Sequence, residues 1–114
     1  MRALLQRVTS ASLTVDGSPS GQMDHGLVVF IGIEAADSAQ DAAWLVRKIL
    51  SLRLFGPEDR LPDQNVLEAG GSCMVISQFT LHASTRKGTR PSYHRAAPPD
   101  HARPLFETTV QIFR

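Results

Sequence analysis

The residues best suited to chemistry cluster near one strand end. Ser77-Gln78-Phe79-Thr80-Leu81 closes a run from Ser72 to Leu81 that reads as a long interior strand. Strand alternation puts Gln78 and Thr80 on one face, and Ser77, Phe79 and Leu81 on the other. Three hydrogen-bonding side chains at the end of an apolar strand are unusual for a core segment, and strand ends in α/β sheets are where ligands bind. Thr80 becomes a nucleophile only beside a base, and His82 shares its face if the strand continues. Threonine is also a good strand former in its own right, and the residues favour that role over attack. A positioning role through hydroxyl, amide and backbone N–H groups stays open.

Other chemistries lack their motifs. His25, His82, His94 and His101 do not have zinc-ligand spacing, so no metal is expected. There is no GxGxxG or GxxxxGK[ST] phosphate loop and no GxSxG elbow. The single cysteine, Cys73, excludes an internal disulfide, and its place beside Met74 and Val75 suits a buried, inert thiol.

Charge adds a second signal. The net charge is only +1, but it is unevenly distributed. Residues 1–57 carry five basic and five acidic groups, and 58–68 carry four acids against Arg60. From Ala69 to Pro99 there is no acid, while Arg86, Lys87, Arg90 and Arg95 supply four cations. That stretch also holds His82, Tyr93 and His94. Cations beside an aromatic ring suit a phosphate backbone and a stacked base, although an ordinary basic surface loop has the same composition.

The elements that must position these residues follow from periodicity. At 114 residues, the chain is long enough for one domain with its own core, here taken as residues 1–114. Residues 2–8 and 12–15 read as short strands, followed by an Asp16-Gly17 turn. Leu27 to Ile33 is continuously apolar and suits a strand buried on both faces. Ser38 and Asp41 form a capping-box variant ahead of a helix over 38–52, with Ala42, Leu45, Val46, Ile49 and Leu52 on one stripe. Trp44 is expected to pack at the margin of that stripe.

Residues 56–65 form a polar loop, and Gly70-Gly71 marks a turn before the second long strand. Pro98-Pro99-Asp100 starts a last helix with Ala102, Leu105, Phe106, Val110 and Phe113 at helical spacing. Pro104 fits only within its first turn. The order predicts an α/β layer architecture whose sheet is left with an unpaired edge or an uncovered face. No apolar run approaches a membrane span, and the first residues lack a signal-peptide layout. A soluble, cytoplasmic domain is therefore expected.

The motifs also carry a family resemblance. The opening MRALLQRV, the strand LVVFIGIE, the helix end KILSLRLF, VLEAGGSCMVISQFTL and TRKGTRPSYHRAAPP resemble D-aminoacyl-tRNA deacylases across nearly the whole chain. SQFTL at 77–81, RKGTRPSY at 86–93 and AAPP at 96–99 are the most specific parts. The resemblance implies a mixed sheet in a layered α/β/β architecture. It also implies an enzyme that cleaves the ester between a D-amino acid, or glycine, and the tRNA 3′ end, a chiral proofreading role.

On that pattern Gln78, Phe79 and Thr80 form the catalytic segment, much of whose recognition comes from backbone groups, while the RNA's own 2′-hydroxyl assists hydrolysis. Ser77 and Leu81 complete the substrate pocket, and Arg7 braces the chirality-selecting element. Arg86, Lys87 and Arg90 lie near tRNA phosphates. A homodimer with active sites at the subunit interface is implied, with no metal or organic cofactor.

Two departures stand out. The family's steric wall against L-amino acids is a cis Gly-Pro pair in a C-terminal strand region. Such a wall is needed because both enantiomers offer the same groups for binding. Residues 1–114 contain no Gly-Pro after Gly56-Pro57, so the closing strands and the selector are expected to be missing, and chiral discrimination to be poor. The alternative expectation is a tRNA-binding or dimerisation remnant with impaired catalysis. The second departure is Pro62-Asp63-Gln64-Asn65-Val66, where the family usually has a Met-Asn-x-Ser-Val-like stretch.

Overall fold

A computed structural model describes residues Met1–Arg114. The elements run β1 (Arg2–Val8), β2 (Ala11–Val15), β3 (Ser18–Met23), β4 (Gly26–Gly32), α1 (Ala39–Ser51), β5 (Ser72–Ser77), a 3₁₀ turn (Phe79–His82) and α2 (Pro99–Phe113). Strands β1, β4 and β5 form a sheet in the order β1-β4-β5, and β2 pairs antiparallel with β3. The fold is mixed α/β, as the element order predicts. No helix is long and apolar enough to cross a membrane. The chain divides into two compact units, one made of Met1–Leu4, Phe30–Val46 and Val75–Arg114, the other of Leu5–Val29 and Arg47–Met74.

In the second unit, Asp16 (φ 50°) and Gly17 (φ 79°) both adopt left-handed backbone, the pattern of a two-residue turn whose twist matches a hairpin. The turn was legible in the sequence, but its outgoing strand was not. β3, Ser18-Pro19-Ser20-Gly21-Gln22-Met23, has no β-branched residue and contains a proline. The ribbon accepts Pro19 because the register slips between Leu13 and Thr14, leaving Thr14 opposite Pro19. Leu27, Val28 and Val29 of β4 are buried, as are Ile49, Phe55 and Val66 of the same unit.

Two backbone devices organise the rest of this unit. Phe55 N–H donates to the Gln64 carbonyl at 3.0 Å, and Asp63 and Gln64 N–H return to the Phe55 carbonyl at 3.0 and 2.9 Å. The polar loop between them is thereby closed at its base. Immediately after it, Asn65 N–H donates to Glu68 Oε1 (2.9 Å) and Glu68 N–H to Asn65 Oδ1 (2.8 Å), a reciprocal capping arrangement.

In the first unit, Ile31, Ile33, Ala42, Val46, Leu105 and Thr109 are buried together with His82. α1 begins where the capping residues predict, but the exchange is one-sided. The Asp41 carboxylate accepts from both Ser38 N–H (2.8 Å) and Ser38 Oγ (3.2 Å). The serine hydroxyl donates to the carboxylate, and no helix amide donates to its oxygen. Trp44 is 58% exposed, so it does not pack at the margin of the stripe as expected.

α2 starts with Pro99 in its first turn, where a missing N–H costs nothing. Pro104 corrects the sequence reading, because it lies inside the helix in the second turn. There it removes the N–H that the Asp100 carbonyl would normally accept. Its side is exposed, so water can satisfy that carbonyl. Thr109 is fully buried although the apolar stripe omitted it, and its Oγ1 donates to the Leu105 carbonyl at 2.7 Å. That bond is what allows a hydroxyl at a core position.

The second long strand is shorter than its apolar run. β5 ends at Ser77, and Gln78 N–H still donates to the Ile31 carbonyl at 2.8 Å before the chain coils. Gly32 explains the change of course. A Cβ there would lie 2.8 Å from Leu81 Cβ, 3.0 Å from His82 Cδ2 and 3.2 Å from the Gln78 carbonyl, so the turn nests against a position that has no side chain.

Candidate active site

The end of β5 at Ser77 overturns the two-face reading of SQFTL. Gln78 is extended (φ −145°, ψ 100°), and Phe79 to His82 coil into a turn held by Leu81 N–H to Gln78 O (3.4 Å) and Ala83 N–H to Thr80 O (3.1 Å). The Phe79 and Thr80 amides begin this turn and donate to no acceptor within the protein. Two neighbouring N–H groups are thereby left free for an external acceptor.

Ser77 and Phe79 line a cleft of about 550 Å³, together with Ala97, Pro99, Ala102, Arg103 and Phe106. Apart from Ser77 and Arg103 its lining is apolar. Phe79 is 58% exposed, and its ring meets Tyr93 edge-on at 5.2 Å between centroids. The Ala97 N–H bonds to the Ile33 carbonyl at 2.8 Å and so holds the Ala96-Ala97-Pro98-Pro99 segment alongside the cleft. Two segments far apart in sequence, SQFTL and AAPP, therefore meet at one opening.

Not every expected pocket residue reaches it. Gln78, Thr80 and Leu81 do not line this cleft. Thr80 is exposed, and Leu81 turns toward Gly32 while its carbonyl accepts from Arg2 Nη1 at 2.5 Å. His82 does not serve Thr80 as a base. It is 4% exposed, and its Nδ1 lies 3.5 Å from Glu34 Oε1. Arg103 and Phe106 were missed as cleft residues. The helical stripe marked Phe106 only as core, and nothing in the sequence marked Arg103.

The residues that end the same turn open onto a second cleft of about 500 Å³, lined by Arg2, His82, Ala83, Ser84, Thr85, Arg86, His94 and Arg95. It contains no acid. Ser84 and Ser92 exchange backbone hydrogen bonds at 2.7 and 2.8 Å, which closes the intervening loop into a finger with Gly88 at φ 65°. Arg86 lines the cleft, whereas Lys87 and Arg90 are exposed on the finger outside it. Glu34 contacts Arg95 Nη2 at 2.5 Å, as an ion pair whose geometry is not that of an aligned hydrogen bond.

Arg7 belongs to the second unit. Its Nη1 donates to the Leu54 carbonyl at 2.6 Å, beside a cleft formed with Val8, Thr9, His25, Phe55 and Gly56 to Glu58. It braces the backbone that leads into Gly56-Pro57. Cys73 is half-buried, and burial pushes its thiol pKa up, which disfavours the nucleophilic thiolate. No group of three or more His, Cys, Asp or Glu side chains is arranged to hold a metal ion.

A turn whose first two amides are free thus adjoins an apolar cleft and a basic one. The chain belongs to the D-Tyr-tRNA(Tyr) deacylase family, whose sequence model matches residues 4–114. It is 48% identical over 111 residues to a D-aminoacyl-tRNA deacylase of Flavobacterium johnsoniae, an alignment covering 97% of this chain and 74% of that protein. Among solved structures it is similar to a c-Myc DNA unwinding element binding protein, with 34% identity and a TM-score of 0.93, covering 100% of this chain and 76% of the other. A structure described as "a probable eukaryotic D-amino acid tRNA deacylase" shares the fold, with 18% identity and a TM-score of 0.81 over 98% of this chain and 66% of that one.

Proposed function

We infer that this chain is a carboxylic ester hydrolase that cleaves D-aminoacyl-tRNA, and glycine mischarged on tRNA, into free amino acid and tRNA. The observation that carries the reading is the convergence of SQFTL and AAPP on one apolar cleft, in a chain of this family. In the proposed reaction water adds to the acyl carbon and negative charge develops on the carbonyl oxygen. The ester C–O bond then breaks, and the ribose oxygen leaves with a proton. The Phe79 and Thr80 amides stabilise the developing oxyanion, which is where fixed donors lower a barrier most. Gln78 positions the turn through its bond to Ile31, Phe79 supplies a wall for the terminal adenosine or the amino acid, and the RNA's 2′-hydroxyl assists proton movement.

Ser77 completes the pocket in this reading while Leu81 seats the turn against Gly32, Arg7 braces the chirality-selecting element, and Arg86, Lys87 and Arg90 attract tRNA phosphates. A homodimer with interfacial active sites belongs to the same proposal. It is supported by the single sheet neighbour of β1 and of β5, and by the exposed apolar side chains of Leu4 and Trp44. A purely tRNA-binding remnant is not favoured, because relatives at this level of identity carry the deacylase name.

The direct test is release of D-[14C]tyrosine from D-Tyr-tRNA. Turnover above the uncatalysed rate is expected, and binding of tRNA without turnover would defeat the reading. Gly32→Ala provides a structural check on the same site. Its Cβ must displace Leu81 or the Gln78 carbonyl, at a cost of about 1–3 kcal/mol. The expected result is a deacylation rate that falls by more than the loss of folded protein explains, measured beside a thermal melt. A rate that simply tracks the folded fraction would show that the seat of the turn does not govern catalysis.

A further inference from the structure

We propose that the cleft formed by Arg2, His82, Arg86, His94 and Arg95 is a built site for one RNA phosphodiester, next to the aminoacylated terminal nucleotide. This rests on the deacylase reading and adds to it a location and a set of residues for the anionic part of the substrate. Two observations support the site. Three guanidinium groups and two imidazoles line one cleft that has no acid in its lining. Its buried member, His82, is 4% exposed with Nδ1 3.5 Å from Glu34 Oε1 and both ring nitrogens shielded, so it shapes the wall and leaves anion contact to the guanidinium groups. The 3₁₀ turn Phe79–His82 also joins the two clefts, with Phe79 lining the apolar one and His82 the basic one.

The geometry selects the ligand class. A 3₁₀ turn rises about 2 Å per residue, so Phe79 and His82 are separated by about 6 Å along it. A free inorganic anion would use only the basic cleft. A nucleotide carrying an acyl group and joined through a phosphate uses both. Glu34 holds the basic wall in shape, since it contacts Arg95 Nη2 at 2.5 Å and His82 Nδ1 at 3.5 Å. Arg95 also retains a side chain 58% exposed, from which its fork can reach a phosphate. Lys87 and Arg90 fall outside the cleft and contribute long-range attraction.

The test compares D-Tyr-tRNA with the phosphate-free ester D-tyrosyl-adenosine, using the wild-type chain and the variants Arg86→Gln and Arg95→Gln. Each variant is expected to lower the ratio of kcat/KM for the tRNA ester to kcat/KM for the adenosine ester by about tenfold. Each should also reduce the salt slope of binding to uncharged tRNA by about one. Arg86 is exposed, so its replacement leaves the fold intact and keeps the comparison interpretable. An unchanged ratio and slope in both variants overturns the site. Saturation by inorganic phosphate with no effect on the RNA slope overturns it as well. If the wild-type chain cleaves neither ester, the deacylase reading has failed, and the slopes on uncharged tRNA still decide whether the phosphate site exists.

Discussion

Replacing Phe79 and Thr80 together by alanine is expected to reduce kcat/KM for D-Tyr-tRNA by about 100-fold while leaving the melting temperature almost unchanged. Both side chains are exposed, Phe79 at 58%, so little burial is lost on truncation. The effect on substrate is larger. Base–aromatic stacking is worth about 1–3 kcal/mol by alanine substitution, and a hydroxyl hydrogen bond adds about 1 kcal/mol. Phe79 is also held by its edge-on contact with Tyr93, so its loss removes a wall already fixed in place. Steady-state deacylation and a thermal melt on one preparation give both numbers. Full activity in the double variant would show that neither side chain contributes and leave the segment only its backbone amides.

The largest effect on stability is expected from Gly26→Ala. A Cβ on Gly26 would overlap the Ser72 carbonyl oxygen and lie 2.7 Å from the Ser72 nitrogen. Both are backbone atoms. The position also has φ 158°, which disfavours a side chain. His25 and Ser72 are joined there by a 3.1 Å hydrogen bond from Ser72 N–H to the His25 carbonyl, so separating the two chains also breaks that link. A loss of about 3–5 kcal/mol is expected, a large part of the total stability of a small domain. Gly17→Ala is the matched control. Its φ is 79°, with nothing within 4 Å of the added Cβ, so it carries the backbone penalty alone, about 1 kcal/mol. Chemical denaturation of both variants separates the two terms, and equal losses would show that the Gly26 contact is not the cause.

The sequence was most legible where one periodicity ran unbroken. β4 and α1 were found from continuous apolar residues and a helical stripe, and their burial agrees. It failed where local composition and tertiary seating disagree. Residues 78–81 have strand-like composition, yet they coil because Gly32 offers them a seat that no local pattern records. β3 has poor strand composition but is carried by the turn before it and by a register slip. Among candidate site residues, the motif located Ser77 and Phe79, and the acid-free stretch brought in Arg86 and Arg95. Arg2 came from the far end of the chain, and Arg103 from a helix read only for its apolar face. Their roles depend on which segments the fold brings together.

The closed base of the loop between Phe55 and Gln64 has a consequence for divergence within the family. Phe55 and Gln64 pin the two ends of the loop whatever lies between them. Asn65 caps the segment that follows by exchanging hydrogen bonds with Glu68. Length changes above the clamp are inexpensive too, since doubling a flexible loop costs only about 0.6 kcal/mol. This loop is therefore a place where lineages can drift, or where an engineer can insert a tag, without disturbing the core on which it is mounted.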